Sequence, residues 1–271
     1  MADPRFAGKV GLVAGGASGI GRAIARGLHA NGAQVVAGDL DADGLAALAA
    51  ELGEGFAWTR SDVTREADAE ALVALAATRF GGLDLAFNVA GASRPGYIVD
   101  LAEADWDFTV DLCLKGVFLG MKHQARQMMR GGAAGRSGAA IVNIASLNAH
   151  VPMHGGSAYV AAKAGVEMLS RNGALEFAPF GIRVNAVLPG LVQTPLTRRH
   201  FDNPDAHAAF LERIPLGRAA QPEEIAGPAL FLASPDAAYV SGASLLVDGA
   251  WAVSGYPDMR PFRGPVAWNA R

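Results

Sequence analysis

The chain has little cysteine, little net charge and no long apolar run. Cys113 is the only cysteine, which excludes an internal disulfide and a metal site built on cysteines. The six histidines show no zinc-ligand spacing, so no metal is expected. Lys and Arg number 23 against 26 Asp and Glu, and a net charge of −3 gives no reason to expect nucleic acid or an anionic membrane as partner. The longest apolar runs fall short of a bilayer span, and Met1 to Phe6 lacks the charged-then-apolar layout of an export signal. A cytoplasmic protein is the expectation. Gly is abundant at 34 residues but has no fixed period, which excludes collagen and solenoid repeats.

What is present suits one sizeable core. With 271 residues and 51% hydrophobic composition, a single domain over 1–271 is expected, with 252–271 as a C-terminal tail. The apolar stretch Lys9 to Ala14 reads as a strand that runs into Gly15-Gly16-Ala17-Ser18-Gly19-Ile20-Gly21 and then a helix over Arg22 to Asn31. A strand, a glycine loop and a helix amino terminus together form a phosphate-binding arrangement: the glycines let the backbone approach, and free N–H groups face the anion. The spacing is G-x-x-x-G-x-G and fits the commoner G-x-G-x-x-G pattern only loosely.

A second strand, Gln34 to Ala37, ends at Gly38-Asp39, eighteen residues after Gly21. An acidic side chain there accepts hydrogen bonds from an adenosine ribose and repels a 2′-phosphate, which predicts NAD as cofactor. The plainer alternative is that Asp39 or Asp41 caps the helix beginning near Asp43. Phe56 to Arg60 reads as a third strand ending at Ser61-Asp62-Val63, where Asp62 either caps the next helix or meets the adenine amino group. Leu83 to Gly91 reads as a fourth strand and its exit turn, with Gly91 allowing close approach to the nucleotide. Short apolar strands alternating with helices imply right-handed βαβ units and an α/β, doubly wound parallel sheet of Rossmann-like type.

A further strand, Ala139 to Ala145, delivers Ser146 at its carboxyl end, where ligands of open α/β sheets bind. Thirteen residues on, Tyr159 and Lys163 stand four apart in an Ala-rich helical run, which places a cation one turn from a phenol on the same face. Alone, Tyr-x-x-x-Lys occurs by chance in many helices. A cation beside a phenol favours the ionised form, and a bound oxidised nicotinamide would add to that effect.

These motifs together resemble the short-chain dehydrogenase/reductase family, over nearly everything from Lys9 to Trp251. Its glycine loop is matched by Gly15, Gly19 and Gly21, with Ala14 where a Thr is usual, and its Asn-Asn-Ala-Gly turn by Asn88-Val89-Ala90-Gly91. Its catalytic Ser, Tyr and Lys fall on Ser146, Tyr159 and Lys163. The resemblance implies that Pro189, Gly190, Val192 and Thr194, after a strand over Ile182 to Leu188, wrap the nicotinamide. It also implies a homotetramer. The implied activity is hydride transfer between a secondary alcohol, or its ketone, and NAD(H), without metal. Candidate pocket residues Arg94, Leu147, Asn148, Met153, His154 and Leu191 are mostly apolar and point to a cyclic or aromatic alcohol. Rival readings are a 3-oxoacyl thioester reductase and an NAD-sensing protein without turnover. One departure stands out: Cys113 occupies the place of the family's fourth catalytic residue, an Asn in a bent helix. Either neighbouring packing keeps the bend without the amide, or the proton relay is altered.

Gly131 to Gly138 reads as a mobile surface loop, Pro195 to Pro215 as a helix-prone lid, and Leu245 to Gly249 as the last strand and its turn. The tail, with Tyr256, Met259, Phe262 and Trp268, either packs on its own subunit or reaches a neighbouring active site.

Overall fold

A computed structural model describes residues 5–130 and 138–255. The glycine-rich segment 131–137 and the tail from Tyr256 onward, both assigned roles from sequence, lie outside the described residues.

Seven parallel strands form one sheet in the order β3-β2-β1-β4-β5-β6-β7. They are β1 (Val10–Ala14), β2 (Gln34–Asp39), β3 (Phe56–Arg60), β4 (Leu85–Asn88), β5 (Ala139–Ile144), β6 (Ile182–Pro189) and β7 (Ser244–Val247). The helices between them are α1 (Gly19–Ala30), α2 (Ala42–Leu52), α3 (Glu66–Phe80), α4 (Glu103–Val110), α5 (Gly116–Arg130), α6 (Ser157–Phe177), α7 (Arg198–Phe201), α8 (Pro204–Leu211) and α9 (Pro222–Ala233). This is the doubly wound, Rossmann-like architecture. No described helix is long and apolar enough to cross a membrane.

Strand alternation divides the core between the two faces. Val10, Leu12 and Ala14 of β1 pack with Val117, Met121 and Val166 of α5 and α6, while Val13 packs with Ile24 and Leu28 of α1 and Ile225 of α9. Central strands are covered on both faces, which is why β5 and β6 are buried throughout and read as mainly apolar runs, interrupted by Asn143 in β5 and by Arg183 and Asn185 in β6. Two polar devices inside this core left no sequence signal. The Asn88 amide donates to Gln124 Oε1 at 3.1 Å and Asn143 Oδ1 at 2.8 Å and accepts from Gln124 Nε2 at 2.8 Å; Asn143 in turn donates to Ser170 Oγ at 2.8 Å. That chain ties β4 and β5 to α5 and α6. Arg183 of β6 donates to the carbonyls of Leu232, Ala233 and Ser234 at 2.6 to 3.2 Å, completing the C-terminal end of α9 with a cation. Burial pushes its pKa down from the ordinary value.

The sheet order reverses between β1, which pairs with β2, and β4, which pairs with β5. The connections leaving β1 and β4 therefore depart to opposite sides and open a crevice at the carboxyl edge. Helix α1 begins at Gly19, inside the glycine loop and earlier than the expected Arg22, so its first turn lies at that crevice. The expected lid resolves into the short helices α7 and α8.

Candidate active site

Two adjoining cavities occupy the carboxyl edge. The first, of ≈ 310 Å³, is a groove lined by Gly15, Ser18, Gly19, Ile20 and Gly21 on one side and Val89, Ala90 and Gly91 on the other, with Asp39, Asp62, Val63 and Thr194 around it. Its glycines are there for space. A Cβ on Gly15 would lie 2.5 Å from the Ala90 nitrogen, and one on Gly21 would lie 1.8 Å from the Gly15 carbonyl oxygen. Gly15 also holds φ +92°, a conformation that side chains disfavour. Ser18 sits at the amino terminus of α1 without a side-chain cap bond, and the first turn holds no acid, so the helix end is left open to an anion. This cradle fits a dinucleotide pyrophosphate.

Asp39 and Asp41 divide the two roles that sequence left open. Asp41 caps α2, accepting the Gly44 N–H at 2.9 Å. Asp39 lines the groove and also braces it, accepting the Ala17 N–H at 3.0 Å and the Asp41 N–H at 3.1 Å. Asp62 lines the groove too, with its Oδ1 accepting from both the Thr64 N–H and the Thr64 hydroxyl.

The second cavity, of ≈ 210 Å³, is lined by Ser146 and Tyr159 together with Leu147, Asn148, Val151, Met153, Leu191, Leu196, Phe210 and Trp251. Ser146 begins a tight 3₁₀ turn, and its Oγ accepts the Asn148 N–H at 3.1 Å. Tyr159 and Lys163 share one face of α6. Lys163 is buried, donates to the Ile144 carbonyl at 2.8 Å, and holds its ammonium 5.7 Å from the centre of the Tyr159 ring. A Cβ on Gly91 would come within 3.5 Å of Lys163 Nζ, so the lysine lies beneath the wall of the dinucleotide groove while Tyr159 lines the neighbouring cavity. The elements that a proton and hydride transfer needs therefore meet where the two cavities adjoin.

Cys113 is fully buried at the centre of a π-helical turn, Asp111–Lys115, between α4 and α5. One extra residue in the turn distorts the i→i−4 hydrogen-bond ladder, a frequent device near functional sites. The thiol donates to the Ala92 carbonyl at 3.2 Å, and Sγ stands 3.6 Å from the projected Cβ of Gly91. The distortion is thus present with a cysteine at this position.

Several expected site residues are elsewhere. The Arg94 guanidinium is held by Asp105 at 3.0 Å and lies 4.1 Å from the Phe108 ring centre; it does not line the substrate cavity. His154 is exposed and lines a separate groove with Tyr97, Ile98 and Trp106. Asn88, expected at the cofactor, spends its amide in the buried network. Val192 is buried, lines neither cavity, and offers its carbonyl to the Thr197 hydroxyl. Pro189 and Gly190 border the second cavity and not the groove. Sequence reasoning missed Leu196, Arg199, His200, Phe210 and Trp251, all from the lid or the turn after β7. The lid was legible as helix-prone, but which of its side chains faces inward depends on where short helices begin.

A dinucleotide groove at the switch point of a parallel sheet, adjoining a cavity with a serine, a tyrosine and a buried lysine, defines a nicotinamide-dependent oxidoreductase. The chain belongs to the short-chain dehydrogenase/reductase family. The family described as Enoyl-(Acyl carrier protein) reductase matches residues 15–251. The chain is 41% identical to a D-threitol dehydrogenase of Mycolicibacterium smegmatis, covering 93% of this chain and 95% of that one. It is 43% identical to a cis-4-hydroxycyclohexanecarboxylate dehydrogenase of Sinomonas cyclohexanicum, covering 91% and 97% respectively. A solved short-chain type dehydrogenase/reductase from Mycobacterium marinum superposes with a TM-score of 0.86 at 32% identity, over 92% of this chain and 97% of that chain.

Proposed function

We propose that this protein is an NAD-dependent dehydrogenase of secondary alcohols borne on an apolar ring, working reversibly and without a metal. The observation that carries this reading is the shared cavity of Ser146 and Tyr159, walled in large part by apolar side chains such as Leu147, Val151, Leu191 and Phe210, with buried Lys163 beneath the adjoining groove. When bound, the nicotinamide supplies the hydride acceptor. Tyr159 takes the hydroxyl proton in the oxidation direction and returns it in reduction. Ser146 holds the substrate oxygen, and Lys163, fixed by the Ile144 carbonyl, contributes positive charge beside the phenol and a donor toward the nucleotide ribose. Apolar side chains such as Leu191, Leu196 and Phe210 exclude water from the reacting atoms.

The choice of NAD rests on Asp39 in the groove and on the lack of any Lys or Arg among the described residues that line it. The relatives named above act, by their names, on threitol and on a hydroxycyclohexanecarboxylate, which supports alcohols as substrates. A second reading is reduction of a 3-oxoacyl thioester; the description of the matching family names an acyl-carrier thioester, though with the enoyl C=C as the bond reduced. A homotetramer is proposed because two separate surfaces call for cover: exposed Phe118, Met168 and Leu175 on α5 and α6, and the edge strand β7, paired on one side only. Two different two-fold interfaces are what a tetramer of dihedral symmetry uses.

The test is a panel of cyclic and acyclic secondary alcohols assayed with NAD and NADP side by side, together with a 3-oxoacyl thioester and both reduced cofactors. Reduction of NAD by ring alcohols is the expected result. Turnover of the thioester alone would overturn the alcohol reading, and light scattering on the eluting protein checks the tetramer.

A further inference from the structure

The lining of the substrate cavity mixes apolar surface with polar and charged side chains. Ser146 and Tyr159 belong to the chemistry, and Leu147, Val151, Leu191 and Leu196 offer only apolar surface. Other polar groups in the lining are already used within the protein: the Asn148 amide donates to the Val151 carbonyl at 2.8 Å, and the Thr197 hydroxyl donates to the Val192 carbonyl. The Ser93 hydroxyl, Arg199 and His200 remain, and the last two, adjacent on α7, are the only basic side chains in the lining. Arg94, Arg171 and Arg218 are each held by a carboxylate. Arg199 has no such partner among the described residues, and no Asp or Glu lines the cavity.

His200 is fixed as part of a wall. Its ring stands edge-on to Phe210 with centres 4.8 Å apart, and Phe210 stands edge-on to Trp251 at 5.6 Å. Burial, reinforced by the charge of Arg199, holds the His200 imidazole below its ordinary pKa. His200 is therefore a neutral N–H donor at neutral pH, and Arg199 is the permanent cation. Arg199 is exposed and His200 is half-buried, so a wholly apolar substrate filling this cavity would take water from the His200 ring and leave the Arg199 charge unused. A carboxylate would replace that water with charge-assisted hydrogen bonds.

We propose that the ring alcohol also carries a carboxylate, bound by Arg199 with His200 as a second donor. This rests on the dehydrogenase reading above and names its substrate class: hydroxy-acids built on an apolar ring. The reaction is unchanged in its balance, with secondary alcohol and NAD⁺ giving ketone, NADH and a proton, and the carboxylate is a spectator.

The experiment compares 4-hydroxycyclohexanecarboxylate with its methyl ester in the native enzyme, Arg199→Gln and Arg199→Glu. Calorimetry alongside it measures binding of cyclohexanecarboxylate and cyclohexanecarboxamide, which need no turnover, to each protein loaded with reduced cofactor. In the native enzyme the acid should exceed the ester in kcat/KM by at least about tenfold, chiefly through KM. That ratio should fall toward one in Arg199→Gln and below one in Arg199→Glu, and calorimetry should show the carboxylate losing its advantage over the amide in step. An acid-to-ester ratio near one in the native enzyme, or one unaltered by Arg199→Gln, would overturn the proposal while leaving the dehydrogenase reading intact. If neither alcohol reduces NAD, the dehydrogenase reading fails, and the calorimetric preference for carboxylate over amide still decides the anion site.

Discussion

Replacing Asp39 by Asn separates two jobs that one carboxylate performs. Its oxygens accept the Ala17 and Asp41 N–H groups at 3.0 and 3.1 Å, which braces the glycine loop, and the same group faces the groove where an adenosine ribose would lie. A 2′-phosphate about 4 Å away would be repelled by roughly 1 kcal/mol per unit charge pair in bulk water and by roughly 4 at the effective dielectric of a protein surface. The native enzyme should therefore favour NAD over NADP by at least about tenfold in kcat/KM, the equivalent of about 1.4 kcal/mol. Asparagine removes the charge but has one acceptor oxygen where aspartate has two, so one of the two bracing bonds is lost at about 1 kcal/mol. Asp39→Asn should lose several-fold efficiency with NAD, gain with NADP, and melt slightly earlier. Initial rates with both cofactors and a thermal melt read all three. Equal use of NADP by the native enzyme, or a ratio that Asp39→Asn leaves within twofold, would refute the reasoning.

Cys113→Ala should keep kcat within about tenfold of native, because the π-helical turn forms without an amide there, and should lose about 1–2 kcal/mol in denaturant titration by leaving the Ala92 carbonyl unpaired. A collapse of kcat in a stable Cys113→Ala protein would give the thiol a part in turnover. Asn88→Leu should cost about 2–4 kcal/mol, since it orphans the Gln124 amide and the Asn143 Oδ1, and the same titration measures it. Glu51 is held by hydrogen bonds from Arg26 and Arg22 at a pKa of about 2, below its ordinary 4.5. A lowered acid pKa stabilises above the unfolded value and loses that effect as pH falls through the folded one. Glu51→Gln should therefore be less stable than native by under about 1 kcal/mol at neutral pH, given its exposure, with the gap closing between pH 4.5 and 2.

The parallel sheet was legible because its central strands are buried on both faces and read as short apolar runs bounded by glycine and polar residues. The groove was legible because backbone approach needs glycine, and Gly15 and Gly21 announce themselves. Tyr159 and Lys163 were legible because a helix converts a spacing of four into a shared face. Residues whose roles depend on tertiary partners were not. Asn88 follows the apolar strand residues and precedes a glycine turn, and nothing local distinguishes an amide facing a nucleotide from one facing Gln124. Arg94 lies beside the site in sequence but is drawn off by Asp105 and Phe108 from the next helix. Arg199 and Phe210 reach the cavity only through the path of the lid. Trp251 does so through a turn in which Ala250 takes φ +70°, a conformation that alanine's own preference does not predict.

In the proposed reaction Tyr159 moves the proton while the rest of the site binds. Tyr159→Phe keeps the ring and removes only the hydroxyl. The decisive measurement is its turnover of a ring alcohol that the native enzyme oxidises, taken together with NADH binding followed by fluorescence. Binding within a few-fold of native and a fall in kcat of order 10² or more are expected. A Tyr159→Phe enzyme that binds NADH and still turns over at a rate near native would contradict that role for Tyr159.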